Sequence, residues 1–212
     1  AIAVKQLGLE PIMQVVCRDK NRLAIQADVV GAQMHGVTSF CALTGDDVTA
    51  GDEPEARRVF DIDGPQLVSI MRTLSDGTYL SGRSLKHHRE LLIGAVENPF
   101  APPAHVRVRR ARMKVDSGAR FVQLQIGYEP EKLEAFVEGC GDNGVCRDAA
   151  VLPTVILTKS AGALRFMESS VPGIHVPGDV IDRIASAVDP LEESYQLARE
   201  QAAHALSLPG IA

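Results

Sequence analysis

The chain has 212 residues, 45% hydrophobic and 23% charged, which is the make-up of a globular protein and excludes a disordered, collagenous or coiled-coil one. A net charge of -5 and a pI near 5.7 leave no basic stripe of the kind that neutralises nucleic-acid phosphates. No apolar run reaches the roughly 18 residues of a membrane span, and residues 1–9 lack the basic start, long apolar middle and cleavage site of a secretion signal, so a cytoplasmic protein with no nucleic-acid or membrane partner is expected.

Residues 1–9 read as the end of a helix, with Ile2, Val4 and Leu7 apolar and Gly8 as its stop, and the chain is expected to be a fragment. Residues 12–17 are the first β-rich apolar run. Arg18-Asp19-Lys20-Asn21 then starts an amphipathic helix that ends at Gly36, with Leu23, Ala27, Val30 and Met34 on one face. Residues 39–43 are the second run, broken by Thr44-Gly45-Asp46-Asp47. After a polar excursion over 48–64, the pattern predicts a helix at 66–74, a strand at 92–96 ending in Glu97-Asn98-Pro99, and a strand at 121–125. A helix at 130–140, a strand at 149–157 and a helix at 160–168 follow. The tail, 180–208, is helical with Leu191, Tyr195, Ala198 and Ala202 on one face; burial explains it, and a subunit contact is the weaker reading.

Five strands, each separated from the next by enough chain for a crossover helix, predict a parallel sheet with right-handed connections. Their continuous apolar runs mean that both faces are covered. No strand is followed by the G-x-G-x-x-G of a dinucleotide fold, so the expectation is an α/β chain supplying about five units of a (β/α)₈ barrel. Residues 1–212 form one partial domain on this reading, with first and last strands absent. Four cysteines are too few for a disulfide scaffold, and Cys17 and Cys41 sit in apolar runs. Cys140 and Cys146 flank a Gly-Asp-Asn-Gly turn without a second ligand pair, and no metal is assigned.

In a barrel the working residues stand at the carboxyl ends of the strands. Gln14, polar among apolar neighbours, is either a packing residue hydrogen-bonded inside the barrel or a ligand contact. Thr44-Gly45-Asp46 either projects a carboxylate into the mouth or caps a helix. Asn98 shapes a turn or meets a ligand. Arg107, Arg110 and Lys114 share a helical face, which is ordinarily solvated but could hold phosphate. Gln125 and Gln123 point the same way, Gln125 nearer the mouth, where a bidentate amide suits a heterocycle edge. His87-His88 point apart on any regular element and carry little weight.

These pieces, in order, resemble the methylenetetrahydrofolate reductases. The resemblance rests on Val15-Val16-Cys17-Arg18-Asp19 with Asn21-Arg22, Ala42-Leu43-Thr44-Gly45-Asp46, and Ile93-Gly94-Ala95-Val96-Glu97-Asn98-Pro99. Lys114-Val115-Asp116-Ser117-Gly118-Ala119 running to Gln125, and Gly173-Ile174-His175-Val176-Pro177, complete it. It covers nearly the whole chain. It implies a flavin-dependent (β/α)₈ barrel that reduces 5,10-methylenetetrahydrofolate to 5-methyltetrahydrofolate, with FAD as cofactor, NAD(P)H as co-substrate and a homo-oligomeric state.

By that resemblance Asp46 is the aspartate beside the flavin that also contacts the pterin, and Thr44 and Gly45 are its flavin-contacting neighbours. Gln14 stands where familiar bacterial members have histidine, Thr44 where they have arginine, and Asn98 where a tyrosine stacks on the adenine. Lys114 matches the lysine that approaches the cofactor, and Gln125 the glutamine that meets both folate and nicotinamide. The family's proton-donating glutamate lies on the first strand, which this chain is expected to lack. Two other readings stay open: the same fold working oxidatively on methyltetrahydrofolate in a demethylation pathway, and a non-catalytic barrel subunit.

Overall fold

The computed structural model describes residues 1–212, apart from the side chain of Ala50. Its strands are β1 (Ile12–Val16), β2 (Ser39–Leu43), β3 (Leu92–Glu97), β4 (Phe121–Leu124) and β5 (Ala150–Leu152), in sheet order β1-β2-β3-β4-β5. The helices are α1 (Ile2–Gln6), α2 (Arg22–Met34), α3 (Gly64–Ser75), α4 (Ala104–Asp116), α5 (Pro130–Asp142), α6 (Val145–Asp148), α7 (Ala161–Ser170), α8 (Gly178–Ser186) and α9 (Pro190–Ser207). β1 runs parallel to β2 with Gln14 opposite Cys41, and β2 parallel to β3 with Cys41 opposite Gly94. The α/β architecture of five strands with crossover helices is as expected, and no pairing closes the sheet into a full barrel among the described residues.

The chain packs as two compact units. The first is Ala1–Val96 with Met113–Phe121. Its core sets Val15, Phe40 and Ile93 of the strands against Ile25 and Val29 of α2 and Leu67, Met71 and Leu74 of α3. Each such side chain contributes about 1.5–3 kcal/mol when taken fully out of water. Asn21 caps α2 by accepting from the Leu23 and Ala24 N–H groups. Asp63 and Gln66 cap α3 reciprocally, with Pro65 in its first turn.

The face of α2 that is buried is not the expected one. Ile25, Val29 and Ala32 point into the core, whereas Leu23 and Met34 are 73% and 78% exposed. Both stripes are apolar at helical spacing, so periodicity could not choose between them. The branched pair Ile25 and Val29 fills the sheet surface instead.

Arg22 clamps Asp61, its Nε donating to Oδ2 at 2.7 Å and its Nη2 to Oδ1 at 2.9 Å, while the Arg22 backbone N–H donates to Oδ2 at 3.0 Å. These bonds hold the Asp61 carboxyl down at about 2. An unfolded aspartate titrates near ~3.9. The contribution to stability is therefore present above that value and is lost as pH falls toward 2. Asp61→Asn is expected to flatten the fall in melting temperature between about pH 4 and pH 2; an unchanged slope would mean that the clamp is not formed in solution.

The second unit is Glu97–Arg112 with Val122–Ala212. Ile126 and Tyr128 pack with Leu164 of α7, Val176 and Ile184 of α8, flanked by Ile156, Val180 and Leu197. β5 stops at Leu152, shorter than the predicted 149–157, because Pro153 has no N–H to continue a ladder. The tail is two helices, broken before Asp189, which caps α9 through the Leu191 and Glu192 N–H groups. On α9 the buried residues are Ser194, Ala198 and Ala205; of the expected stripe Ala198 is buried and Ala202 half-buried, while Leu191 and Tyr195 are exposed, so only its second half is packed.

On α4, Arg107 and Arg110 are half-buried and Lys114 is buried, so the face they share is not a solvated one. Arg107 donates to the Ala101 and Pro102 carbonyls and lies 3.7 Å from the buried Glu97 carboxylate. Arg112 donates to the Gly144 carbonyl and to Asp148. Arg107, one of the three residues of the face read from sequence, is thus engaged inside the unit. Cys140 is buried, and burial pushes its thiol up to about 12, so it behaves as a small apolar side chain at neutral pH.

Candidate functional site

Gln14, Thr44, Gly45, Asp46 and Lys114 lie in the first unit, and Asn98 and Gln125 in the second. In the first, β2 ends at Leu43 and the chain turns at Gly45, whose φ is +87°. A Cβ there would stand 2.5 Å from Val16 Cγ1, so only glycine lets the backbone pass β1 and deliver Asp46 beyond the strand end. The Arg18 guanidinium holds the Asp46 carbonyl at 3.3 Å and forks onto Asp19. The Asp46 carboxylate is exposed. Thus Arg18-Asp19 and Thr44-Gly45-Asp46, far apart in sequence, are one construction.

Thr44 and Lys114 converge on Gly64, at the start of α3: a Cβ built there would be 3.2 Å from Thr44 Oγ1 and 3.7 Å from Lys114 Cε. Lys114 is buried and donates to the Val96 carbonyl at 2.6 Å, near the carboxyl end of β3. Burial pushes the Cys41 thiol up to about 11, the Lys114 charge pulling the other way. Gln14 is exposed on β1. It is not the buried packing residue that one reading expected, and its register opposite Cys41 keeps it well before Asp46.

In the second unit, a cavity of about 320 Å³ opens where β3, β4 and β5 end. Phe100 after β3, Leu124 and Gln125 at the end of β4, and Pro153 and Val155 after β5 line one side; Leu197, Gln201 and His204 of α9 line another. Gln125 is fixed at both ends of its residue, with its N–H donating to the Glu97 carbonyl at 2.8 Å and its Oε1 accepting from the Ile126 N–H at 3.1 Å. The cavity lining is mainly apolar, with Gln125, Glu129, Thr154, Glu200, Gln201 and His204 among its polar members, the mix that orients a planar heterocycle.

Asn98 spends its amide differently. Its Nδ2 donates to the Gly173 carbonyl at 2.9 Å and its Oδ1 accepts from the Phe100 N–H at 2.9 Å. It therefore ties the 173–177 turn to the loop that carries Phe100 into the cavity. Behind that ring, a Cβ on Gly127 would lie 2.3 Å from Phe100 Cε2, and the Gly127 carbonyl accepts from Gln201 Nε2 at 3.3 Å. Tyr128 is buried, and burial raises its hydroxyl to about 12, partly offset by the Thr158 hydroxyl.

Phe100, Gln201 and His204 were not singled out from sequence as site residues. The available signal was the i, i+4, i+7 spacing of Leu197, Gln201 and His204. Two polar members hid that stripe behind the more apolar one beside it. Among the described residues no group of three or more histidine, cysteine or acidic side chains gathers as a metal site.

A family model described as methylenetetrahydrofolate reductase matches residues 1–206. Methylenetetrahydrofolate reductase 2 of Schizosaccharomyces pombe is 35% identical over 77 residues, covering 35% of this chain and 12% of that protein. A probable methylenetetrahydrofolate reductase (NADPH) of Caenorhabditis elegans is 23% identical over 181 residues, covering 82% of this chain and 24% of that protein. Among solved structures, a Clostridium thermocellum protein described as binding two copies of 5-methyl-5,6,7,8-tetrahydrofolic acid superposes with a TM-score of 0.64 at 15% identity, over 96% of this chain and 63% of its own. The chain thus spans about a quarter or less of the length of those two reductases. A match over 206 residues that takes in every element of the sheet and the Thr44-Gly45-Asp46 and Gln125 strand ends places this chain in the methylenetetrahydrofolate reductase family.

Proposed function

We propose that the chain carries flavin- and NAD(P)H-dependent reduction of 5,10-methylenetetrahydrofolate to 5-methyltetrahydrofolate. The observation that carries this reading is the Gln125 amide in the lining of a cavity at the strand ends beside Phe100. A folate ligand is in keeping with what the Clostridium thermocellum neighbour is described as binding. The same reading makes residues 1–212 part of one (β/α)₈ domain in a cytoplasmic, homo-oligomeric enzyme. No helix among the described residues is long and apolar enough to cross a membrane.

The residues on β1 and at the end of β2 suit a flavin in kind. An exposed carboxylate at Asp46 can accept from a ring N–H, and the exposed Gln14 amide can donate or accept at a ring edge. Gly45 lets the backbone turn past Val16 and carry Asp46 beyond the strand end. FAD, when bound, supplies hydride carriage between the nicotinamide and the methylene carbon. Asp46 would set the electronics of that site, because a fixed negative charge disfavours further negative charge beside it. Thr44 and Lys114, converging on Gly64, would brace the segment that holds it. Gln125 serves each ring system in turn by rotating its amide, and Asn98 contributes by holding the Phe100 loop and the 173–177 turn with its amide.

The test separates the two half-reactions. Asp46→Asn is expected to slow folate reduction while leaving flavin reduction by NADH unchanged or faster. Gln125→Ala is expected to weaken both, each by several-fold for about 1 kcal/mol of lost hydrogen bonding. Asp46→Asn slowing the NADH step alone would reverse the assigned role.

A further inference from the structure

We propose that the exposed face of α2 is a docking surface for a second copy of this chain, and that the segment it takes is the acidic first half of α9. Leu23, Ala27, Val30 and Met34 of α2 form one wall of a groove of about 620 Å³, and Tyr79 and Leu80 form the other. Leu23, Met34 and Leu80 are exposed, so the groove shows large apolar side chains to solvent at both ends of the helix. Gly31 opens its middle. Beyond its own helix, no atom lies within 4 Å of where a Gly31 Cβ would stand, so nothing in the chain requires a glycine there, although glycine weakens a helix interior.

The groove is preformed. The Leu80 N–H donates to Gln26 Oε1 at 3.0 Å and the Arg89 N–H to Gln33 Oε1 at 3.1 Å, which pins the segment 80–89 along α2 at two points. At its start the Tyr79 N–H donates to the Arg83 carbonyl at 2.9 Å and closes a tight turn.

Charge decides the occupant. The pinned segment carries Arg83, Lys86 and Arg89, all exposed and, among the described residues, outside any ion pair, in a chain whose net charge is -5. A two-fold contact of this face with itself would bring two cationic rims to one interface, and like charges oppose it. An apolar helix with acidic neighbours fits instead. On α9, Leu191 and Tyr195 stand one turn apart and exposed, and Val188 just ahead of the helix is exposed as well. Asp189 and Glu192 beside them are exposed and, among the described residues, outside any ion pair, whereas Glu193 is taken by Arg183. Both surfaces are therefore left uncovered within one chain. With the α9 of one copy seated in the α2 groove of the next, Leu191 and Tyr195 meet Leu23 and Met34, and Asp189 and Glu192 meet the Arg83–Arg89 rim. The two copies use different faces, which makes the contact heterologous. One helix in one groove belongs at the low end of specific interfaces, below about 1,200 Å² in total, so the association is weak and salt-dependent.

Sedimentation of the full chain tests this, at concentrations up to about 500 μM, where weak contacts are populated. The mean mass of wild type is expected to rise above the 22.7 kDa of one copy as concentration increases. Association should weaken several-fold on going to about 0.5 M salt. Met34→Glu spoils only the groove and Leu191→Glu only the docking helix, and both side chains are exposed, so neither change touches a core. Each variant alone is expected to lose the rise. An equimolar mixture of the two holds one intact groove and one intact α9, and is expected to form a heterodimer and nothing larger. Wild type that stays monomeric throughout overturns the proposal, as does either variant that associates like wild type, or a mixture that does not associate. Should Met34→Glu not fold, Leu23→Glu at the other end of the groove takes its place with the same outcomes. Failure here leaves the reductase reading standing, because flavin reduction tests that reading separately.

Discussion

Gly94→Ala is expected to prevent stable folding of the first unit. Gly94 sits in the middle of β3, and a Cβ there would lie 2.1 Å from both Cε2 and Cζ of Phe121. Real Cβ contacts do not come that close, so either the ring or the strand must move. Phe121 is buried, Ala95 and Ile93 on either side of the glycine are buried, and β3 is hydrogen-bonded to β2 in register. Overpacking ordinarily costs about 1–3 kcal/mol where neighbours can relax, and neither neighbour here has room to do so. Against a typical total stability of about 5–15 kcal/mol, a loss at or above the top of that range is expected to appear as insoluble or molten protein. Phe121→Leu in the same chain removes the opposing ring and should restore part of the stability, because the two changes share one contact. A fully stable Gly94→Ala single variant would mean that Phe121 does not lie across β3.

Gly127→Ala is expected to have the largest effect on ligand binding. The new methyl would stand 2.3 Å from Phe100 Cε2, and Phe100 is half-buried at the cavity rather than locked in a core. The ring can therefore swing, and the cheapest direction is into the space that the ligand needs. Binding of folate or nicotinamide should weaken by tenfold or more, about 1.4 kcal/mol, while the melting temperature changes little. Gly127→Ala combined with Phe100→Ala should recover binding relative to Gly127→Ala alone. If the single variant binds as wild type does, the cavity is not where these ligands go.

Much of the fold was legible because parallel, doubly covered strands read as plain apolar runs: β1, β2, β3 and β4 fall within a residue or two of their predicted bounds. What escaped was which of two apolar faces a helix buries. On α2 two stripes of similar hydropathy lie side by side, and on α9 only half of the more apolar stripe is packed; the choice depends on neighbours that only the packed chain supplies. On α4, spacing shows that Arg107 is basic but not that the Ala101 and Pro102 carbonyls wait for it.

The site was legible in a similarly uneven way. Gly45 and Gln125 stood out because a glycine and an amide at strand ends are unusual residues in predictable places. The resemblance supplied their roles, and the structure adds the physical reason for the glycine and a place in the cavity lining for the amide. Gly94 and Gly127 carried no such signal. Each is glycine because an aromatic ring from a distant segment occupies the volume its side chain would take.

The most direct test of the account is a visible absorption spectrum of the purified protein supplemented with FAD, followed by anaerobic addition of NADH and then of methylenetetrahydrofolate. The account predicts a bound-flavin spectrum that bleaches with the nicotinamide and returns with the folate. A protein that stays colourless with added FAD, or binds it without bleaching, would contradict the proposed reductase function.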